Sequence, residues 1–419
     1  MTYTVNTFFS VVIYALLFIT TYFEVFLLVT YFWERNKFKE TNLNSRALEK
    51  YPSVTIIVPA WNEEKTISGT VNSLLQLDYP KERLNIFIVD DGSTDKTFEV
   101  ANRFLSEPQV KVFRKENGGK YTALNLGLSH ATSELVGCLD ADSFISPNAL
   151  KEMLPYFDDL EVMAVTPSVQ IHQPHSVLQR LQAIEYMVGA FTRKVFSRID
   201  ALYVTPGPFS IYRRTIFEKI GLFAHGYDTE DMEMALRMQS NHMRIENAHT
   251  ALVYTVGPKT LSRLLRQRIR WSSGFLKNSF FNYRHMFFNK KFGNLGMLTM
   301  PFAFISIFVG LAFSALYAKS ILSFVLEKYV QFSALGFRSV FHAPRLDWFA
   351  INFGVRNLII YLLLFVTFSF VFIGMKMVIK RFRFSRDIVY FILLYGIISP
   401  FWLAVSVYNL ITATEVRWR

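Results

Sequence analysis

Residues 7 to 33, TFFSVVIYALLFITTYFEVFLLVTYFW, contain one acid, Glu24, and no base. The run exceeds the ~20 residues that a helix needs to cross a bilayer. In hydrocarbon every backbone N–H and C=O must find a partner inside the protein, so such a stretch folds as a helix. No polar region or small-residue cleavage site follows, and the segment reads as an uncleaved anchor, not a signal peptide. ERNKFKE comes next and places the C-terminal side of this helix in the cytoplasm. Three further apolar stretches lie at about 297–326, 357–379 and 388–413. The basic run KMVIKRFRFSRD between the last two is expected in the cytoplasm too. Four crossings would then leave the tail EVRWR outside, against the positive-inside expectation. One stretch could therefore be re-entrant or interfacial: the last holds Gly396 and Pro400, and 331–353 could add a surface helix.

Composition agrees with a partly membrane-embedded chain. Hydrophobic residues make up 51%, 42 of the residues are Phe, and charged residues are only 19%, below the ~25% of soluble domains. The single Cys138 excludes a disulfide framework and suits a reducing compartment. A formal net charge of +12 fits an anionic lipid surface, an anionic substrate or a nucleic acid, and does not choose among them.

From about 50 to 255 the pattern changes. YPSVTIIVPA, LNIFIVDDGS, VKVFRK and SELVGCLDAD read as strands, with the helical runs EEKTISGTVNSLLQL, TDKTFEVANRFL and KYTALNLGLSHA between them. This βαβα alternation predicts a mostly parallel sheet covered by helices. Ligands of such sheets bind beyond the carboxyl ends of the strands. Asp90/Asp91 and Asp140/Asp142 both sit at such ends.

Each candidate motif has an ordinary reading beside the chemical one. The carboxylates of Asp140-Ala141-Asp142 could serve a divalent cation and a diphosphate, or could close a solvated turn. VDDGSTDKT is good turn chemistry, with Ser93 or Thr94 available to cap the next helix. Asp91 could equally accept from a pyrimidine imide. ENGGKYTALN offers two glycines for close backbone approach and Lys120 as a point charge, or a plain glycine turn. In HGYDTEDMEMALRM, Thr229 could cap a helix opened by Glu230 and Asp231, and an acid here could also deprotonate an acceptor hydroxyl. GPKTLSRLLRQRIRWSSGF predicts an amphipathic helix with Leu261, Leu264, Leu265, Ile269 and Phe275 on one arc. Gln267, Arg270 and Trp271 fall at i, i+3 and i+4 on a neighbouring face. That face suits a sugar ring and a diphosphate, or simply a basic helix at a membrane surface.

In this order, the elements resemble the membrane-embedded family 2 glycosyltransferases, which include cellulose, chitin, hyaluronan and poly-N-acetylglucosamine synthases and ceramide glucosyltransferase. The resemblance covers roughly 50 to 275 and rests on the ordered set D, D, D, Q-x-x-R-W. It implies an α/β, GT-A-type Rossmann-like nucleotide-sugar domain inserted between transmembrane helices, with amphipathic interfacial helices. The expected division is an anchor at 1–36, a cytoplasmic catalytic domain at 37–257, an interfacial helix at 258–294 and a membrane region at 295–419. Carried over residue by residue, Pro59, Glu63, Asp91, Lys120, Asp140, Gln267 and Arg270 would bind the donor. Asp142 would hold Mg2+ or Mn2+, and Asp231 would be the general base. Gly207, in TPGPFSIYRR, would contact the acceptor together with Glu230 and Trp271. That loop lacks the Cys-Gly-Ser or Cys-Gly-Thr sequence of cellulose synthases.

The resemblance implies an inverting transfer from a nucleotide sugar, in all expectation a UDP-sugar, to a growing polysaccharide at the cytoplasmic face of the cell membrane. Transfer of one sugar to a lipid is the alternative. An accessory membrane or export subunit fits either case. A transporter would carry paired intramembrane charges, which the apolar segments lack apart from Glu24. Nucleic acid is not an expected partner, because the basic residues gather at membrane flanks and on the amphipathic helix.

Overall fold

The computed structural model describes residues 2–33, 51–336, 354–380 and 385–414. Eight strands make one sheet: β1 (Val54–Ala60), β2 (Leu84–Asp91), β3 (Val110–Lys115), β4 (Leu135–Cys138), β5 (Ser143–Ile145), β6 (Val162–Ile171), β7 (Ser210–Arg213) and β8 (Arg244–Thr255). Their spatial order is β3-β2-β1-β4-β7-β6-β8-β5. β1 to β4 pair in parallel, as the βα alternation predicts, and so do β6 and β8. β7 enters antiparallel between β4 and β6, and β5 closes the edge antiparallel to β8.

The helices are α1 (Thr2–Trp33), α2 (Ile67–Leu75), α3 (Thr97–Asn102), α4 (Lys120–His130), α5 (Ala149–Met153), α6 (Val177–Arg198), α7 (Thr215–Ile220), α8 (Glu230–Ser240), α9 (Leu261–Lys277), α10 (Met300–Leu335), α11 (Val355–Ile379) and α12 (Arg386–Ile411). β1 is buried along its whole length, as a central parallel strand covered on both faces must be. Its alternate side chains feed two layers. Ile56 and Val58 pack with Ile67, Val71 and Leu74 of α2, whereas Ile57 packs with Leu124 of α4 and Met234 of α8. Burying a Val, Leu or Ile is worth about 1.5–3 kcal/mol, so one strand ties both layers to the sheet.

Among the described residues four helices are long and apolar enough to cross a membrane: α1, the segment Leu295–Leu335, α11 and α12. Residues 331–335 continue α10 and form no separate surface helix. The remainder of the 331–353 expectation, beyond residue 336, lies outside the described residues. At ~1.5 Å per residue, the 36-residue α10 is long enough to cross and project beyond the core. Two capping expectations are also revised. At α3 the Thr97 N–H donates to Asp95 at 2.9 Å, while the Ser93 hydroxyl accepts from the Asn62 N–H at 2.9 Å. At α8 the Thr229 hydroxyl makes no cap and instead donates to the Gly226 carbonyl at 2.6 Å.

Candidate active site

The carboxyl ends of β1, β2 and β4 open onto a cavity of about 470 Å³. The register explains why. Ala60 pairs with Asp90 and Ile57 with Cys138, so the chain beyond β4 turns at Asp140 and Asp142 on the same edge as Asp91. Pro59, Glu63, Asp91, Lys120, Asp140, Asp142, Glu230 and Arg270 all line this cavity. Asp91 is already engaged: it accepts from Lys115 Nζ at 2.7 Å and from the Gly118 and Gly119 N–H groups at 3.1 and 2.9 Å. Gly119 presents that N–H from a φ of +91°, a conformation that favours glycine.

Lys120 is the hub. Its ammonium lies 2.6 Å from Asp140 and 2.7 Å from Glu230. Burial disfavours the charge, but Asp140, Glu230 and Asp231 outweigh it and hold Lys120 well above the usual lysine range. Glu230 shows the reciprocal effect: burial raises it, and Lys120 and Arg270 more than offset that, leaving it below the usual range. Among the described residues Asp142 makes no direct ion pair, and Lys120 acts on it only weakly. Burial, then the neighbouring Asp140 and Glu63 charges, push it up to about 7.

Asp231 sits beside this network in a small adjoining pocket, with Gly207 and Lys120. Burial, then Glu230, raise its carboxyl to about 6, opposed by Lys120, Arg270 and the Gly207 N–H. That N–H donates to Asp231 Oδ2 at 2.9 Å and fixes the carboxylate. A Cβ on Gly207 would lie 2.7 Å from Lys120 Nζ, 3.2 Å from Asp140 and 3.4 Å from Asp231. Gly207→Ala should therefore leave melting nearly unchanged while displacing the hub. We expect turnover to fall about 100-fold, the scale of a small misplacement of reacting groups, in a single-turnover assay.

α9 brings up the fourth wall. Thr260 caps it, accepting from the Arg263 N–H. Arg270 reaches the cavity and binds the Asp228 carbonyl. Gln267 and Trp271 do not line the cavity, so the face expected to be shared with Arg270 is divided. Both turn to Arg268, which donates to Gln267 at 2.8 Å and lies 4.3 Å from the Trp271 ring centroid. Arg268 in turn pairs with Glu185 of α6 at 2.5 Å. Gly274 allows Thr229 to approach α9 so closely that a Cβ there would collide with its side chain.

Residues 55–221 match the model of glycosyl transferase family 2. This region is a family 2 glycosyltransferase domain. Poly-beta-1,6-N-acetyl-D-glucosamine synthase of Staphylococcus epidermidis is 28% identical to this chain over 270 residues, and that of Staphylococcus aureus strain COL is 29% identical over 274. Each alignment covers 64% of this chain and 65% of the relative, just under two thirds of its length. Among solved structures, the mannosyltransferase PcManGT from Pyrobaculum calidifontis, in complex with GDP-Man and Mn2+, is 16% identical with a TM-score of 0.59. That superposition covers 96% of this chain and 100% of PcManGT, and it shows a shared GT-A-like fold.

The cavity also includes residues that sequence reasoning passed over: Trp61, Tyr121, His225 and Asp228. Gly226, Tyr227 and Asp228 have successive φ values of +54°, +54° and +60°. A left-handed non-glycine residue costs roughly 1–2 kcal/mol, and such strain gathers where a loop must be aimed. Here it turns the Asp228 carbonyl toward Arg270 and delivers Asp231 to the pocket. Gly226 in HGYDTED was the one available signal for this loop.

Proposed function

We propose that the chain transfers sugar from a nucleoside-diphosphate sugar, a UDP-sugar, onto a growing polysaccharide at the cytoplasmic face of the membrane, with inversion. The carrying observation is the Asp231 carboxylate, raised to about 6 and held by the Gly207 N–H beside the Lys120 hub. A base titrating near 6 is ionised at neutral pH and still accepts a proton well. Asp231 takes the proton of the acceptor hydroxyl, and the hydroxyl oxygen bonds to the anomeric carbon. The bond from that carbon to the phosphate oxygen breaks, and the nucleoside diphosphate leaves with the electron pair on the opposite face. Lys120 and Arg270 line the cavity and would meet the charge that develops on the leaving group.

The cavity lining supports a divalent cation. Six acids, Glu63, Asp91, Asp140, Asp142, Asp228 and Glu230, line the cavity with the bases Lys120, Arg270 and His225, and Lys115 is already paired with Asp91. A diphosphate would meet net negative charge there, and Asp142 makes no direct ion pair among the described residues. Among the described residues no three His, Cys, Asp or Glu side chains form a ready-made metal cage. That fits Mg2+ or Mn2+ held by one or two carboxylates plus substrate phosphates. Asp142 would be the main protein ligand, and the ion would neutralise charge on the departing diphosphate. The staphylococcal relatives support N-acetylglucosamine as the sugar and a polysaccharide as the acceptor.

The test uses the purified chain in lipid with Mn2+ or Mg2+ and a panel of radiolabelled nucleotide sugars. Nucleotide release with a high-molecular-weight ladder is the expected result. A single lipid-soluble product would move the assignment to glycolipid synthesis on the same residues. No release from any donor would overturn the proposal. A second expectation concerns pH. kcat/KM reports the free enzyme, so it should be flat above about pH 7 and fall as pH drops through about 6 and Asp231 takes up its proton. A pH–rate profile measures it, and a fall only below pH 4 would exclude Asp231 as the base.

A further inference from the structure

By length and apolar character α12 could cross a bilayer, but its two ends touch the same side of the molecule. Its 26 residues make a rod about 39 Å long, against a hydrocarbon core of about 30 Å. Standing along the membrane normal, it would carry its ends to opposite faces. Instead Asp387, in its first turn, pairs with Arg180 of α6 at 3.2 Å, and Ile388 packs with Ile184 of α6 and Met375 near the end of α11. At the other end Asn409 donates to Ser273 of α9 at 3.4 Å, and the Thr414 carbonyl accepts from Lys277. Both partner helices belong to the catalytic body. Lys194 of α6 donates to the Asn247 carbonyl of β8 at 2.7 Å, and α9 carries Arg270 into the cavity.

The neighbouring spans agree. α10 leaves the catalytic body at Met300, which packs with Ala201 and Leu236. Leu403, Val407 and Leu410 of α12 meet α10 within its first turns, from Ala303 to Leu311, together with Phe275 and Leu276 of α9. We infer that α12 lies across the membrane plane beneath α6 and α9, with its outer face on the acyl chains of the leaflet nearest the catalytic domain. Its inward side has polar groups that the domain satisfies: the Tyr395 hydroxyl donates to Glu185 at 2.8 Å, and Ser406 and Asn409 reach α9. Leu393, Ile397, Phe401 and Tyr408 fall in helical register on the other side and are exposed. An apolar stripe on a helix whose opposite side is covered by protein is suited to lipid.

The arrangement also resolves the charge conflict. With three crossings, by α1, α10 and α11, the positive-inside expectation for KMVIKRFRFSRD and that for EVRWR no longer conflict. The last turn of α12 thus lies on the catalytic side.

Cysteines introduced one at a time test this, since the native Cys138 is buried. Ser129→Cys marks the catalytic domain, Ser333→Cys the far end of α10 and Ala413→Cys the end of α12; all three positions are exposed. The full chain is labelled in sealed vesicles with a membrane-impermeant maleimide added to one side or the other. We expect Ala413→Cys to label from the same side as Ser129→Cys, with Ser333→Cys labelling from the opposite side. Ala413→Cys labelling with Ser333→Cys would make α12 a fourth crossing and overturn the inference. A protease site appended after Arg419 provides a second readout: cleavage from the Ser129 side supports the in-plane helix, and cleavage from the other side refutes it. Neither measurement depends on which sugar is transferred.

Discussion

Asp231→Asn should abolish sugar transfer while the donor still binds within a few-fold of its wild-type affinity. The amide keeps the shape and can still accept from the Gly207 N–H, now at 2.9 Å. It cannot take a proton at neutral pH. General-base contributions of this kind are worth about 10²–10⁴ in rate, and the loss should appear in kcat. Removing one buried negative charge next to Glu230 and Lys120 also relieves repulsion against a diphosphate, so donor affinity should hold or rise slightly. Isothermal titration with a non-hydrolysable donor and single-turnover transfer separate the two effects. Wild-type transfer in the Asn variant would remove Asp231 as the base. Equal loss of binding and transfer would make it a structural partner of Gly207.

Much of this site was legible because its parts are local. β1 and β2 are dense in Val and Ile, and the acids that end β2 and follow β4 fall at the edge where the cavity forms. Lys120 follows a glycine pair that must turn, so its place at the mouth of α4 could be read directly. What could not be read depends on long-range contacts. Gln267, Arg270 and Trp271 share a helix face by spacing alone, yet Arg268 draws two of them away through Glu185, which is 83 residues distant. The meeting of Thr229 and Gly274 has no local signature either, because either residue alone is unremarkable in a helix or a turn. Trp61, just beyond β1, and Tyr121, in the first turn of α4, reach one cavity. Tyr227 carries no mark of its left-handed backbone; only the packing around it over-determines that conformation.

If the proposed cation site is right, Asp142→Ala should leave activity that divalent cations barely rescue. Burial, then the Asp140 and Glu63 charges, raise the Asp142 carboxyl to about 7, and Ser143 and Lys120 offset this only in part. A bound Mg2+ or Mn2+ would remove that cost, and in return the site would hold a diphosphate that six acidic linings otherwise repel. Deleting this carboxylate leaves Asp140 committed to Lys120 at 2.6 Å and Glu63 at the cavity rim as the remaining donors. Loss of a group that stabilises developing charge costs about 10²–10³ in kcat, and the Mn2+ concentration for half-maximal activity should rise by at least a similar order. The same variant should not unfold, because Asp142 contributes only a 3.2 Å contact with Ser143 and a 3.5 Å contact with Thr255. Activity measured across a Mn2+ titration, with melting as the control, decides the matter. An unchanged Mn2+ dependence would move the cation away from the D-A-D turn, whereas a fully cation-independent wild type would leave Lys120 and Arg270 as the only positive charges on the leaving group.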